Sequence, residues 1–172
     1  MREVSLLRQN IDCKEENMGL DMYLDKTLYI SEFDKQGIEK IDTIYNVLGI
    51  QDLSNNYKHL ELRLPAIYWR KSNQIHGWFV EHIQEGNDNC QTYHVDIEQL
   101  EELLELVKTQ LKNKKKILLN PSEGFFFGST DIDEYYWADL ENTRDKLEKE
   151  IGFYREQSLL GRHWHYEYRS SW

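Results

Sequence analysis

The chain has few of the residues that build small stapled scaffolds. Its 172 residues include two cysteines, Cys13 and Cys90, which form no C-x-x-C pair. The simplest expectation is a reduced protein of the cytoplasm. Only two prolines occur, Pro65 and Pro121, each just ahead of an aromatic block, where a chain reversal or element boundary is expected. No apolar run approaches the roughly 18–20 residues that span a membrane. The first residues are charged and lack the apolar stretch of a secretory signal. Basic charge is in deficit, with 21 Lys+Arg against 31 Asp+Glu and a net charge of −10. Neutralising phosphates requires a basic footprint, so direct nucleic-acid binding is not expected. An acidic surface suits solubility or a basic protein partner. Also missing are the Walker lysine pattern, the dinucleotide glycine spacing, G-x-S-x-G, H-E-x-x-H and a cysteine beside an activating group. No catalytic residue and no cofactor are therefore assigned.

The length fits one domain with a core that needs no metal or disulfide staple. Residues 1–17 are polar and weakly patterned and read as an N-terminal extension. The compact domain spans 18–155, and 156–172 is an aromatic tail or edge strand. Leu20, Met22 and Leu24 alternate with Asp21, Tyr23 and Asp25, the period of a half-buried strand that Thr27–Ile30 could extend. Ile38, Ile41, Ile44, Tyr45 and Leu48 predict a helix over 35–48, stopped by Gly49. After a polar loop at 54–56, Leu60, Leu62 and Leu64 predict another strand. Pro65 is expected to end it and open a helix over 66–83 that is apolar on two sides, with Lys71 inside the apolar arc.

Gly86–Asn89 reads as a turn and 91–95 as a short strand. Asp96 and Gln99 form a capping box for a helix over 96–112. Ile117–Leu119 suggests a strand, and Phe125–Phe127 a short buried strand or tight loop. Ser129, Thr130 and Asp131 compete to cap a last helix over 131–151, whose buried stripe is Ile132, Tyr136, Leu140, Thr143, Leu147 and Ile151. Residues 161–168 alternate as a late strand would. These elements predict an α+β domain, a small, mainly antiparallel sheet packed by three to four helices.

Four groups of residues are candidate sites. On the expected 66–83 helix, Trp69, Asn73 and His76 form a stripe beside Arg70, a wall able to hold an anion or small polar ligand; a buried helix with satisfied polar groups is the simpler account. The turn at Gly128-Ser129 feeds a helix start, where free amides can hold phosphate. Asp131, Asp133 and Glu134 would repel that phosphate, and N-capping explains them as well. His163 and His165 would share one strand face, but no cysteine or third histidine is near in sequence, so no metal site is assigned. On the last helix Glu134, Glu141, Asp145 and Glu148 fall in one narrow sector, a row able to dock on a basic surface.

Met18-Gly-Leu-Asp-Met-Tyr-Leu24, the block Tyr68-Trp-Arg-Lys71 running through Asn73-Gln-Ile-His76 to Trp78-Phe79, Gly124-Phe-Phe-Phe-Gly-Ser129, and Asp133-Glu-Tyr-Tyr136 with Asp139-Leu140 stand out together. Over roughly residues 18–150 they resemble a family of small phage and prophage proteins of unassigned function. The resemblance implies an accessory protein made in the cytoplasm of an infected bacterium. The expected function is non-enzymatic: an acidic inhibitor of a bacterial defence system, anti-CRISPR-like, binding the basic nucleic-acid groove of a host nuclease complex. The alternative is a small-ligand or phosphate-binding enzyme using Trp69, Asn73, His76 and the Gly128-Ser129 turn.

Overall fold

The computed structural model describes residues 19–34, 36–53 and 58–172. The N-terminal extension and the 54–56 loop lie outside the described residues. The fold is α+β. Among the described residues, β1 (Asp21–Ser31), β2 (His59–Arg70), β3 (Tyr93–Val95) and β4 (Trp164–Ser171) form one antiparallel sheet in the order β2-β1-β4-β3. The α-helices are α1 (Gly37–Leu48), α2 (Asn73–His82), α3 (Ile97–Lys112) and α4 (Glu134–Leu159).

All four helices pack on one face of the sheet. Met22 and Leu24 of β1, Ile67 and Trp69 of β2, and Tyr166 and Tyr168 of β4 join Ile75 and Phe79 of α2, Leu100, Leu103 and Val107 of α3, and Leu140, Leu147 and Ile151 of α4 in the main core. Ile30, Ile41 and Tyr45 form a smaller core under α1. The other face carries exposed Tyr29, Glu61, Arg63, Tyr68 and His165.

A bulge in β2 explains where the sequence misleads. Leu24 pairs with Ile67 and Asp25 with Pro65, so Ala66 has no partner in β1. One inserted residue reverses the side-chain phase. Leu60 and Leu62 before the bulge, and Ile67 and Trp69 after it, therefore all turn to the helices. The broken alternation imitates helical spacing, which is why a helix over 66–83 is expected from sequence. The chain instead stays extended to Arg70, turns at Lys71 with φ 57°, and enters α2 at Asn73. Pro65 is tolerated inside the strand because β2 is an edge strand.

Other boundaries shift for local reasons. Asp133, not Ser129, Thr130 or Asp131, caps α4, accepting from the amides of Tyr135 and Tyr136 at 3.0 and 3.1 Å. Ile132 thus precedes the helix and is exposed, and α4 runs on to Leu159. Ile117–Leu119 forms no strand; it bends around buried Gln110, whose Nε2 donates to the carbonyls of Asn113 and Lys116. Phe125–Phe127 is a tight turn that buries Phe127 and exposes Phe125. The tail is not an edge strand: β4 lies between β1 and β3, with Trp164, Tyr166, Tyr168 and Ser170 buried. Gly49 ends α1 in the left-handed region at φ 70°, and the Asp96/Gln99 box caps α3, as their sequence signals predict. Cys90 is disulfide-bonded, contrary to the expectation of reduced thiols, and Cys13 lies outside the described residues. No helix is long and apolar enough to cross a membrane among the described residues.

Candidate functional site

The strings singled out in the sequence meet at one end of the sheet. The Leu20 amide donates to the Phe126 carbonyl at 3.0 Å, and the Lys71 amide to the Leu20 carbonyl at 2.7 Å. Asn73 Nδ2 donates to the carbonyls of Phe127 and Ser129 at 3.1 and 2.9 Å. The His76 ring meets Phe127 edge-on, with centroids 5.0 Å apart. The two aromatic blocks are therefore in contact. Gly128 adopts φ 90°, a conformation that L side chains rarely take, beside the stem of Lys71.

His76 is fully buried and uses both ring nitrogens. Nδ1 is hydrogen-bonded to the Tyr168 hydroxyl at 2.8 Å and Nε2 to Asp88 Oδ2 at 3.0 Å. Asp88 Oδ1 accepts from Trp172 Nε1 at 3.0 Å. Burial alone would raise the Asp88 pKa; bonds from His76 and Trp172 and the attraction of His76 outweigh it and hold the carboxyl below its ordinary value. Burial, reinforced by the Asp88 charge, pushes the Tyr168 phenol well up. Carboxylate, imidazole and hydroxyl in line are the residue types of a nucleophile relay. Here the hydroxyl is sealed: Tyr168 has no exposed surface and stacks on Phe79 at 3.8 Å. The arrangement instead ties β4, α2, the Asp88 turn and the chain end together.

Beside it opens a cavity of about 520 Å³, walled by His76, Glu81, Glu85, Asp88, Glu123 and Phe127, with no lysine or arginine in its lining. Four carboxylates disfavour an anion in this cavity, and of the residues expected to hold a ligand only His76 lines it.

The residues of the expected ligand wall do not form one surface. Trp69 faces the core and donates from Nε1 to Thr143 Oγ1 at 3.0 Å. Arg70, next in the strand, points to the other face and pairs with Asp21 at 2.9 Å. Asn73 Nδ2 is used by the two loop carbonyls. Ser129 is exposed, donating from Oγ to Asp131 and accepting from the Asp131 amide.

Sequence reasoning missed the polar cluster at the start of α2. Ser72 Oγ, Asn73 Oδ1 and Gln74 Nε2 are buried without a hydrogen-bond partner of standard geometry. Asp139 faces this end of α2. Burial raises its carboxyl, while Ser72, Gln74 and Lys146 act to lower it. Lys146 is itself pushed down by burial and donates to the Tyr68 carbonyl at 2.6 Å. Asp139 is half-buried here, and nothing in its spacing along the helix set it apart from the exposed acids; Glu150 is the buried acid of α4.

The acidic row is present on the surface. Glu134, Glu141, Asp145 and Glu148 are exposed along α4, while Tyr136, Leu140, Thr143, Leu147 and Ile151 are buried on the opposite side. Asp145 pairs with Arg144 at 2.7 Å and Glu148 with Lys108 at 3.1 Å. His163 lies outside β4 and His165 is exposed within it. Among the described residues no group of three or more His, Cys, Asp or Glu is placed to hold a metal ion. Compared with protein-family models, curated proteins and solved structures, the chain matches none.

Proposed function

We propose that this chain is a non-catalytic interaction protein whose α4 docks on a basic protein surface. The observation that carries this reading is the row Glu134, Glu141, Asp145 and Glu148, exposed in one sector of a 26-residue helix. The helix is anchored from behind, so it presents these charges on a rigid support. The partners of the row, Arg144 and Lys108, are partly exposed and the acids of these pairs more so, and surface ion pairs are screened and weak. An arginine-rich surface that excludes water can displace them. The net charge of −10 steers such a partner over a longer range. The wall expected for the enzyme alternative is dispersed, which removes the geometric support for that reading.

The more particular form of the proposal is a phage-encoded inhibitor that occupies the nucleic-acid groove of a defence nuclease. It rests on the motif resemblance and on the acidic row together. Charge reversal in E141K/D145K/E148K tests the surface. Wild-type protein is expected to retain a basic partner from bacterial lysate in a salt-sensitive manner, and the variant to lose it with its circular dichroism unchanged. Equal retention by the variant would remove α4 from the interface. The particular form further requires that the captured nuclease lose nucleic-acid binding when the wild-type protein is added.

A further inference from the structure

We propose that the chain pairs with a second copy of itself along the outer edge of β2, as a two-fold antiparallel dimer centred on Leu62. One sheet edge is β3, of 3 residues; the other is β2, of 12. A long unpaired edge is a template for another strand.

The backbone directions in β2 follow from three bonds. The Glu32 amide donates to the Lys58 carbonyl at 2.9 Å, so Lys58 turns toward β1. Alternation then turns His59, Glu61, Arg63 and Pro65 outward. Past the bulge the phase inverts: the Lys71 amide points inward to Leu20, and the Tyr68 carbonyl points outward, where Lys146 Nζ takes it at 2.6 Å. The C-terminal half of the edge is thus closed by Lys146, the bulge and a proline without an amide hydrogen. In the other half, among the described residues, no group bonds to the outward amides and carbonyls of His59, Glu61 and Arg63.

The sequence of this half is complementary to itself. Antiparallel pairing about Leu62 sets Glu61 opposite Arg63 of the second copy, twice over, on the uncovered face. Their side chains are 56% and 45% exposed and only 3.9 Å apart within one copy. Arg63 is also paired with Glu167 and lies 3.7 Å from Asp25, so it meets Glu61 of the second copy by sharing or exchanging these partners. On the helix side Leu60 meets Leu64 of the second copy and Leu62 meets itself, covering Leu64, which stands 45% exposed. The His59 amide meets the Pro65 carbonyl, so the missing proline hydrogen costs one bond at each end. A shift that centres the pairing on Glu61 or on Arg63 sets two like charges face to face, which fixes the register. The product is an eight-stranded sheet with every helix on one face, an isologous dimer.

Sedimentation equilibrium over a concentration series tests this on the full chain. The wild type is expected to dimerise reversibly. R63E sets Glu61 against a glutamate and E61R sets Arg63 against an arginine, so each variant is expected to dimerise about tenfold more weakly. Both substitutions lie on the uncovered sheet face, and circular dichroism checks that each variant is folded. Mixed together, R63E and E61R have opposite charges at both positions and are expected to form a heterodimer as tight as the wild-type dimer. A wild type that stays monomeric overturns the proposal. So does a dimer that the single variants leave unchanged, or a mixture of the two folded variants that fails to associate.

Discussion

Asn73 Nδ2 and the Phe127 carbonyl are 3.1 Å apart, and this bond holds the two aromatic blocks together across 54 residues of sequence. The same amide reaches Ser129 at 2.9 Å, so one buried side chain satisfies two loop carbonyls. Asn73→Ala is expected to cost about 1–3 kcal/mol, the penalty for stranding buried acceptors. Asn73→Asp, whose carboxylate offers no donor and repels both carbonyls, is expected to cost more. Urea denaturation monitored by tryptophan fluorescence measures both; a neutral Asn73→Ala would show that the loop holds its place without the bond.

Asp88 sets an acid limit on stability. Its folded pKa lies below its ordinary value of 3.8. The stabilisation is therefore present above about pH 4, where the unfolded carboxyl is ionised, and is lost as pH falls through the folded pKa. Asp88→Asn is expected to destabilise at neutral pH by about 1–3 kcal/mol through weakened bonds to His76 and Trp172. The gap between variant and wild type should close in acid. Thermal melts from pH 7 downward test this, and a gap independent of pH would contradict it.

Asp139 has the opposite sign. Burial raises its folded pKa above the ordinary 3.8, so the charged form works against folding at neutral pH. Asp139→Asn keeps the shape and removes the charge. It is expected to raise the melting temperature at pH 7 and to change little below about pH 4, where the wild-type carboxyl is protonated both folded and unfolded. A lower melting temperature at pH 7 would mean that the contacts to Ser72, Gln74 and Lys146 outweigh the burial.

Lys26 and Glu150 form an ion pair at 2.6 Å under the sheet, with Tyr166 donating to the same carboxylate oxygen at 3.1 Å and Lys26 lying 3.6 Å above the Phe153 ring. Their side chains are only 12% and 8% exposed. Removing one partner strands the other charge, so Lys26→Met is expected to cost about 3–5 kcal/mol. Adding Glu150→Gln should restore much of that loss. A double-mutant cycle by chemical denaturation gives the coupling, and additive effects would show that the pair is dispensable.

The elements legible from sequence are those whose signal is local. The Asp96/Gln99 box, the Gly49 stop and the stripe Tyr136, Leu140, Thr143, Leu147, Ile151 each lie within one helix, and the structure reproduces them. The site was less legible. Trp69, Asn73 and His76 have helical spacing in sequence, but the bulge at Ala66 and the turn at Lys71 put Trp69 on a strand and the other two on a helix. Tyr136 stands in the predicted stripe, yet its phenol, pushed up to about 12 by burial, donates to the Leu119 carbonyl, a partner that periodicity cannot name.

By itself the sequence determined the α+β class, the acidic character, the capped helices and the exposed row on α4. Each follows from composition or from a period of two or 3.6 residues. Tertiary structure decided that the aromatic tail becomes an interior strand, that His76 joins Tyr168 and Asp88, and that Asn73 ties the loop after Phe126 to α2. It also decided that β2 keeps half of its edge open. These are relations between residues far apart in the chain, fixed by strand order and side-chain packing, and no local pattern encodes them.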